Sequence, residues 1–213
     1  MNATKPSIVY RHRTGLYVNL TNRCPTACVF CIKGKWKMDY GGSNLNLDGY
    51  EPAPAEIAQL AATAYTEKPF NELVFCGYGE PSMRLNAVIE TARLIRAGAA
   101  APIPARLRVR LNTNGLANLV WGRDVVPELK GLVDSVYVSL NASEPKRWTE
   151  LMRPDARYAR NGFESVKDFV RTSARLLPET VITIVECGQQ ELDSFKKLAA
   201  ELGVGYKVRA RLE

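Results

Sequence analysis

A chain of 213 residues that is 46% hydrophobic and 24% charged has the composition of a water-soluble globular protein, and it is long enough to bury a core without disulfide staples. No apolar run approaches the roughly 18 residues of a membrane span, and the opening MNATKPSIVYRHRTG has no apolar signal core, so the expectation is a cytoplasmic protein without a membrane anchor. The 29 Lys and Arg against 22 Asp and Glu give a formal charge of +7, which suits an anionic partner such as nucleic acid and equally a solvated basic surface.

Taken in chain order, Leu16 to Leu20 reads as a first strand, followed by three cysteines and then by Lys33 to Pro54, a long stretch rich in Gly, Asn and Pro that reads as a functional loop. Ile57, Leu60, Ala61 and Ala64 recur at helical spacing before a second strand, Glu72 to Cys76. Leu85, Val88, Ile89 and Ala92 predict another helix, GAAAPIPA (98–105) a connection, and Arg106 to Leu111 a third strand. A fourth strand, Ser135 to Leu140, precedes a helix marked by Phe163, Val166, Phe169 and Val170, and a fifth covers Val181 to Val185. The last helix carries Leu192, Phe195, Leu198, Ala199 and Leu202, with Gly203 placed to close it, and Tyr206 to Arg211 reads as a sixth strand. Six strands alternating with amphipathic helices predict an α/β protein, a partial (β/α)6 TIM-like barrel with a parallel sheet and an open side cleft. A single domain over residues 1–213, with its cysteine loop at 21–54, is expected. Periodicity does not set strand order, so a doubly wound sheet stays open at this point.

Cys24, Cys28 and Cys31 stand at C-x3-C-x2-C in TNRCPTACVFCIK, while Cys76 and Cys187 are isolated, an odd and clustered set that does not read as a disulfide framework. Three thiolates on one loop can ligate three irons of a four-iron cluster and leave the fourth iron open. Structural zinc asks for four ligands; His12, the lone histidine, is outside zinc spacing, and Cys76 would have to be brought near by the fold.

C-x3-C-x-aromatic-C after the first strand resembles the radical S-adenosylmethionine (SAM) superfamily, with Phe30 at the aromatic position. The resemblance implies a [4Fe-4S] cluster on Cys24, Cys28 and Cys31, SAM chelated at the open iron through its methionine moiety, and Phe30 beside the adenine. FCGYGEP resembles the family's GGEP motif, with Gly77, Gly79 and Glu80 as cofactor groups, Glu80 toward the methionine ammonium, and Tyr78 where another glycine is frequent. Asn112 and Asn114 in LNTNG, and Ser139 and Asn141 in SVYVSLNA, take strand-end positions that reach ribose and methionine groups in the family, although Asn and Gly also end strands for conformational reasons. Val185 is a weaker adenine contact, and Arg153 and Glu186 read as surface groups. No catalytic side chain is assigned. Across LYVNLTNRCPTACVFC, FCGYGEPSMRLNAV, RLNTNGLANL and SVYVSLNA the chain looks like the small TatD-associated radical SAM proteins.

The resemblance implies an oxygen-sensitive enzyme that takes one electron from a flavodoxin or ferredoxin, cleaves SAM, and uses the 5′-deoxyadenosyl radical to abstract hydrogen from an unidentified substrate, macromolecular in the favoured reading, protein or nucleic acid. It also implies a functional link to a TatD-family nuclease. The alternatives are a zinc-stabilised nucleic-acid-binding module without catalysis, and a cluster-bearing protein that only regulates a partner.

Overall fold

The computed structural model describes residues 6–212; residues 1–5, which begin the stretch read as lacking a signal core, and Glu213 lie outside the described residues. A short hairpin opens the fold: β1 (Val9–His12) runs antiparallel to β2 (Gly15–Val18). The cysteine loop then leads through α1 (Ile32–Lys35) and a small hairpin, β3 (Asp39–Tyr40) with β4 (Ser43–Asn44), to α2 (Pro54–Glu67) and β5 (Glu72–Phe75). A 3-10 turn (Pro81–Arg84) and α3 (Leu85–Arg96) return to β6 (Arg108–Thr113). Helices α4 (Ala117–Trp121) and α5 (Val126–Leu129) connect to β7 (Ser135–Ser139). Then α6 (Pro145–Met152), α7 (Ala156–Ala159) and α8 (Gly162–Leu176) connect to β8 (Glu179–Val185), and α9 (Gln189–Glu201) to β9 (Gly205–Arg209).

The main sheet has the order β1-β2-β5-β6-β7-β8-β9, and every pairing from β2 onward is parallel. Each new parallel strand joins beside the previous one, which is how a barrel winds; a doubly wound sheet would grow outward in both directions from an interior first strand. Because β9 does not pair with β1, the winding stays open between them, as a partial barrel requires.

Alternation along the strands gives the sheet two unlike faces. Leu16, Val18, Leu73, Phe75, Val109, Leu111, Val136, Val138, Ile182 and Ile184 fall on one parity and are all buried, and the helical stripes pack on them. Burial of Phe163, Val166, Phe169 and Val170 from α8 contributes roughly 1.5–3 kcal/mol for each side chain. Gly203 ends α9 at φ 67, donating its N–H to Ala200 O at 3.1 Å.

The opposite, inner parity is polar: Tyr10, Tyr17, Glu72, Arg110, Asn112, Tyr137 and Thr183 share it by register. Arg110 is the hub, donating to Tyr17 Oη at 2.9 Å and Glu72 at 3.0 Å, with its guanidinium 4.6 Å from the Tyr137 ring centre. A closed barrel fills this space with branched apolar side chains. Here it is furnished for a polar guest.

Sequence periodicity does not reveal β1, because VYRH is short and two of its four residues are basic. The Lys33 to Pro54 segment is a pinned cover. Leu45 and Leu47 are fully buried, and Leu45 joins Tyr10 and Tyr78 in a second small core flanked by Tyr17, Ile32, Met38 and Tyr40.

Candidate active site

The carboxyl ends of the parallel strands are where this architecture gathers ligands, and the cysteine loop is seated there by two glycines. A Cβ on Gly79 would lie 2.1 Å from Thr21 O and 2.7 Å from Arg23 O, and one on Gly77 would lie 2.3 Å from Asn19 Oδ1. Only glycine lets the FCGYGEP turn touch the backbone of the loop, and the contact is sealed by the Glu80 N–H donating to Arg23 O at 2.8 Å. Tyr78, at the position where the resemblance led one to expect a further glycine, donates its hydroxyl to Asp39 O at 2.6 Å and so anchors the small hairpin over the site.

Cys24 and Cys31 are exposed and Cys28 is partly buried, with the Thr26 hydroxyl 3.2 Å from Cys24 Sγ and 3.4 Å from Cys28 Sγ. The loop is held from behind by the segment after α6. Ala27 N–H donates to Arg153 O at 3.0 Å, Val29 N–H to Leu151 O at 2.9 Å and Asp155 N–H to Pro25 O at 2.9 Å, and Met152 Sδ lies 3.8 Å from Cys28 Sγ. Partial burial, then the charge of Glu80, pushes the Cys24 thiol up, and burial pushes Cys28 up to about 11. Thiols so placed become thiolates when a metal supplies the compensating charge.

Among the described residues, no group of three or more His, Cys, Asp or Glu side chains is drawn together as a site for a single metal ion. Three neighbouring thiols on one loop, each free for a separate iron, fit a cluster ligated at three corners. Burial pushes the Cys76 thiol up, with Asn112 the first of the groups that oppose the rise.

Glu80 is 3% exposed and joins the ends of β5 and β6: Oε1 accepts from Ser82 N at 3.0 Å and Thr113 Oγ1 at 2.7 Å, and Oε2 from Asn114 N at 2.7 Å. Three of the roughly four lone pairs of a carboxylate are thereby engaged, leaving about one. Burial raises the Glu80 carboxyl above its ordinary value against the lowering by these donors. Asn114 Nδ2 lies 3.9 Å from Cys24 Sγ, tying the third strand end to the cysteines. Asn112 keeps a buried Oδ1 without a partner.

Asn141 adopts left-handed backbone, φ 61, a conformation Asn tolerates better than most residues. It accepts from Val185 N at 3.1 Å and Arg209 at 3.2 Å, and its Nδ2 lies 3.3 Å from Met152 Sδ. Ser139, on the same parity as Asn112, is partly buried beside Thr183. Phe30 is partly buried and rests against the main core. The eight side chains and backbone positions proposed from sequence for SAM thus lie on the cysteine loop and at the ends of β5, β6 and β7, and the unpartnered Asn112 Oδ1 leaves polar capacity for a nucleoside there.

The chain matches the model of the Radical SAM superfamily over residues 18–202. It belongs to the radical SAM superfamily. The enzyme accordingly works with a [4Fe-4S] cluster and SAM, and needs a reductant. It is 28% identical over 151 residues to the dual-specificity RNA methyltransferase RlmN of Syntrophotalea carbinolica, covering 69% of this chain and 35% of that one. The RlmN of Geotalea uraniireducens is also 28% identical, over 150 residues, covering 68% and 38%. The chain therefore spans little more than a third of these relatives. Streptococcus suis SuiB bound to S-adenosylmethionine superposes with TM-score 0.60 at 13% identity over 92% of this chain and 38% of that one. A radical SAM methyltransferase from Sphaerobacter thermophilus gives 0.53 at 14% identity, over 95% and 68%. No helix among the described residues is long and apolar enough to cross a membrane.

Sequence reasoning overlooked the backbone role of Leu151 to Asp155, which leaves no side-chain signature, and the approach of Arg209 to Asn141 from a strand 68 residues away. Arg153, read from sequence as a salt-bridging surface group, forms no ion pair among the described residues; its carbonyl is what acts.

Proposed function

We propose that Cys24, Cys28 and Cys31 hold the [4Fe-4S] cluster of this radical SAM enzyme, and that Phe30, Gly77, Gly79, Glu80, Asn112, Asn114, Ser139 and Asn141 form the bed of SAM. The observation that carries this reading is the loop of Cys24, Cys28 and Cys31 at the carboxyl ends of parallel strands, with Cys24 Sγ 3.9 Å from Asn114 Nδ2 and the Asn114 N–H held by Glu80. With its groups bound, the cluster would pass one electron from the reductant to SAM, and the chemistry supplied would be reductive carbon-sulfur cleavage and hydrogen abstraction from the substrate. The protein's share is positional. Glu80 would offer its remaining lone pair to the methionine ammonium, Asn112 Oδ1 and Ser139 would offer polar contacts to the nucleoside, and Phe30 would sit beside the adenine.

The substrate in this proposal is an RNA. RNA methyltransferases stand among the relatives, the chain carries a charge of +7, and the inner face of the sheet is rich in cations. A flavodoxin or ferredoxin in the cytoplasm is the electron donor, and a TatD-family nuclease acts in the same process.

The test is anaerobic reconstitution of the wild type and of Cys24→Ala, Cys28→Ala, Cys31→Ala and Cys76→Ala. Brown protein with about four irons per chain and 5′-deoxyadenosine formed under reduction are expected for the wild type and Cys76→Ala, and neither for the other three. Equal loss from Cys76→Ala, or colourless protein with one zinc, would overturn the assignment.

A further inference from the structure

The inner face of the sheet carries more charge than the cofactor bed uses. Its two strand carboxylates, Glu72 and Glu179, stand at the amino end of the strands and are both consumed there. Glu72 pairs with Arg110 at 3.0 Å and Arg108 at 3.8 Å, and Glu179 pairs with Arg108. At the carboxyl end the same parity brings Lys207 and Arg209, two residues apart on β9 and so about 7 Å apart along the strand. Neither has a carboxylate within 4 Å among the described residues.

Arg209 donates one nitrogen to Asn141 Oδ1 at 3.2 Å, while its Nε is buried without a partner. Thr183, in register with Lys207, is 3% exposed and its hydroxyl is also unpartnered. Lys207 is exposed, with its ammonium 6.0 Å from the Tyr137 ring centre. Partial burial first, then the charges of Arg13, Arg110 and Lys207, hold the His12 imidazole below its ordinary value. Desolvation lowers the Arg209 guanidinium, against the raising influence of the Cys76 and Cys28 thiols. An isolated buried cation is costly, and an anion relieves that cost.

We propose that Lys207, Arg209 and Thr183 form a phosphate-binding subsite in the open side of the barrel, holding a phosphate of the nucleotide presented for hydrogen abstraction. A tetrahedral phosphate can accept from a guanidinium, an ammonium and a hydroxyl at once, whereas a planar carboxylate is satisfied by the guanidinium fork alone. The inference rests on the reading that the substrate is an RNA.

The experiment uses cluster-loaded enzyme under anaerobic conditions with three probes: adenosine monophosphate, a single-stranded oligoribonucleotide across a salt series, and SAM, each by equilibrium binding. Lys207→Gln, Arg209→Gln and Arg209→Lys are compared with the wild type, their melting temperatures and iron contents measured first. Lys207 is exposed, so its variant stays folded. Each Gln variant is expected to bind the oligoribonucleotide about tenfold more weakly, the scale of one charge-assisted contact. Lys207→Gln lowers the slope of log affinity against log salt by about 0.7, and Arg209→Lys retains part of the affinity. Adenosine monophosphate binding as tightly as the oligomer would identify a free nucleotide as the phosphate source; weaker binding that fails with the same variants would identify the RNA strand. The proposal is overturned if the wild type binds neither phosphate probe at low salt, or if Arg209→Gln weakens SAM alone, which would make the anion the cofactor's carboxylate. Failure of the radical reading shows separately, as absent iron or absent 5′-deoxyadenosine in the wild type.

Discussion

Replacing Gly79 by Ala tests how the cysteine loop is seated. The new Cβ would stand 2.1 Å from Thr21 O and 2.7 Å from Arg23 O, where ordinary contacts begin at 3.4 Å. Both obstacles are backbone, so no side chain can swing aside, and the loop must retreat by more than an ångström. That retreat stretches the 2.8 Å hydrogen bond from Glu80 N–H to Arg23 O past its useful range. Overpacking of this kind costs about 1–3 kcal/mol and the lost bond about 1 kcal/mol. Together they amount to roughly 2–4 kcal/mol, or a fall in melting temperature of about 5–15 °C for a chain of this size. Gly79 does not have a left-handed φ, so backbone strain adds nothing and the effect is steric. The assay is calorimetry of the apoprotein together with iron per chain after anaerobic reconstitution, since a displaced Arg23 carries the neighbouring Cys24 with it. Gly205→Ala is the control: its Cβ would meet Val181 at an ordinary 3.8 Å, and its stability should hold or rise. If Gly79→Ala melts within about 2 °C of the wild type and takes up full iron, the close approach does not seat the loop and the reasoning fails.

Glu51 links Thr21 at 2.8 Å, Arg23 at 2.8 Å and Arg84 at 3.3 Å. Burial alone would raise its carboxyl, but the Thr21 hydroxyl and the two guanidiniums outweigh it and hold the value below the ordinary 4.5. The stabilisation is therefore present above the ordinary value and lost as pH falls through the depressed one. Glu51→Gln should lose about 1 kcal/mol, because the pairs are partly screened. The melting-temperature gap to the wild type should be flat near neutrality and close in acid, and a gap that widens in acid would contradict the sign. Glu80→Ala strands the buried donors on Ser82, Thr113 and Asn114 and should cost about 3–5 kcal/mol; Glu80→Gln should cost less stability yet still weaken SAM about ten- to a hundredfold. Calorimetric SAM affinity equal to wild type in Glu80→Gln at full iron occupancy would confine Glu80 to joining strand ends.

Much of the candidate site is legible locally, because its chemistry is written over short spans. C-x3-C-x2-C puts three thiols on one loop whatever surrounds it, and the stripes of α2, α3, α8 and α9 are fixed by 3.6-residue periodicity over lengths that any apolar surface will accept. The glycines of FCGYGEP are visible as a motif, but their reason is not: they answer to the backbone of Asn19, Thr21 and Arg23, some 56 residues upstream. In the loop read from sequence as functional, the Lys33 ammonium is spent on Asn22 O at 2.7 Å, and the Trp36 ring centre lies 5.8 Å from that of Tyr40.

The sequence by itself determined the three-cysteine motif, the βα rhythm and the strand-end residues proposed for the cofactor bed, since each depends on neighbours a few residues apart. Tertiary structure alone decided the barrel-like strand order and the antiparallel β1. It also set the backbone clasp of Leu151 to Asp155 on the cysteine loop and the pairing-off of inner carboxylates that leaves Lys207 and Arg209 without acids among the described residues. Those are contacts between distant segments, made by backbone atoms common to every residue or by charges whose partners depend on register, and neither leaves a periodic trace along the chain.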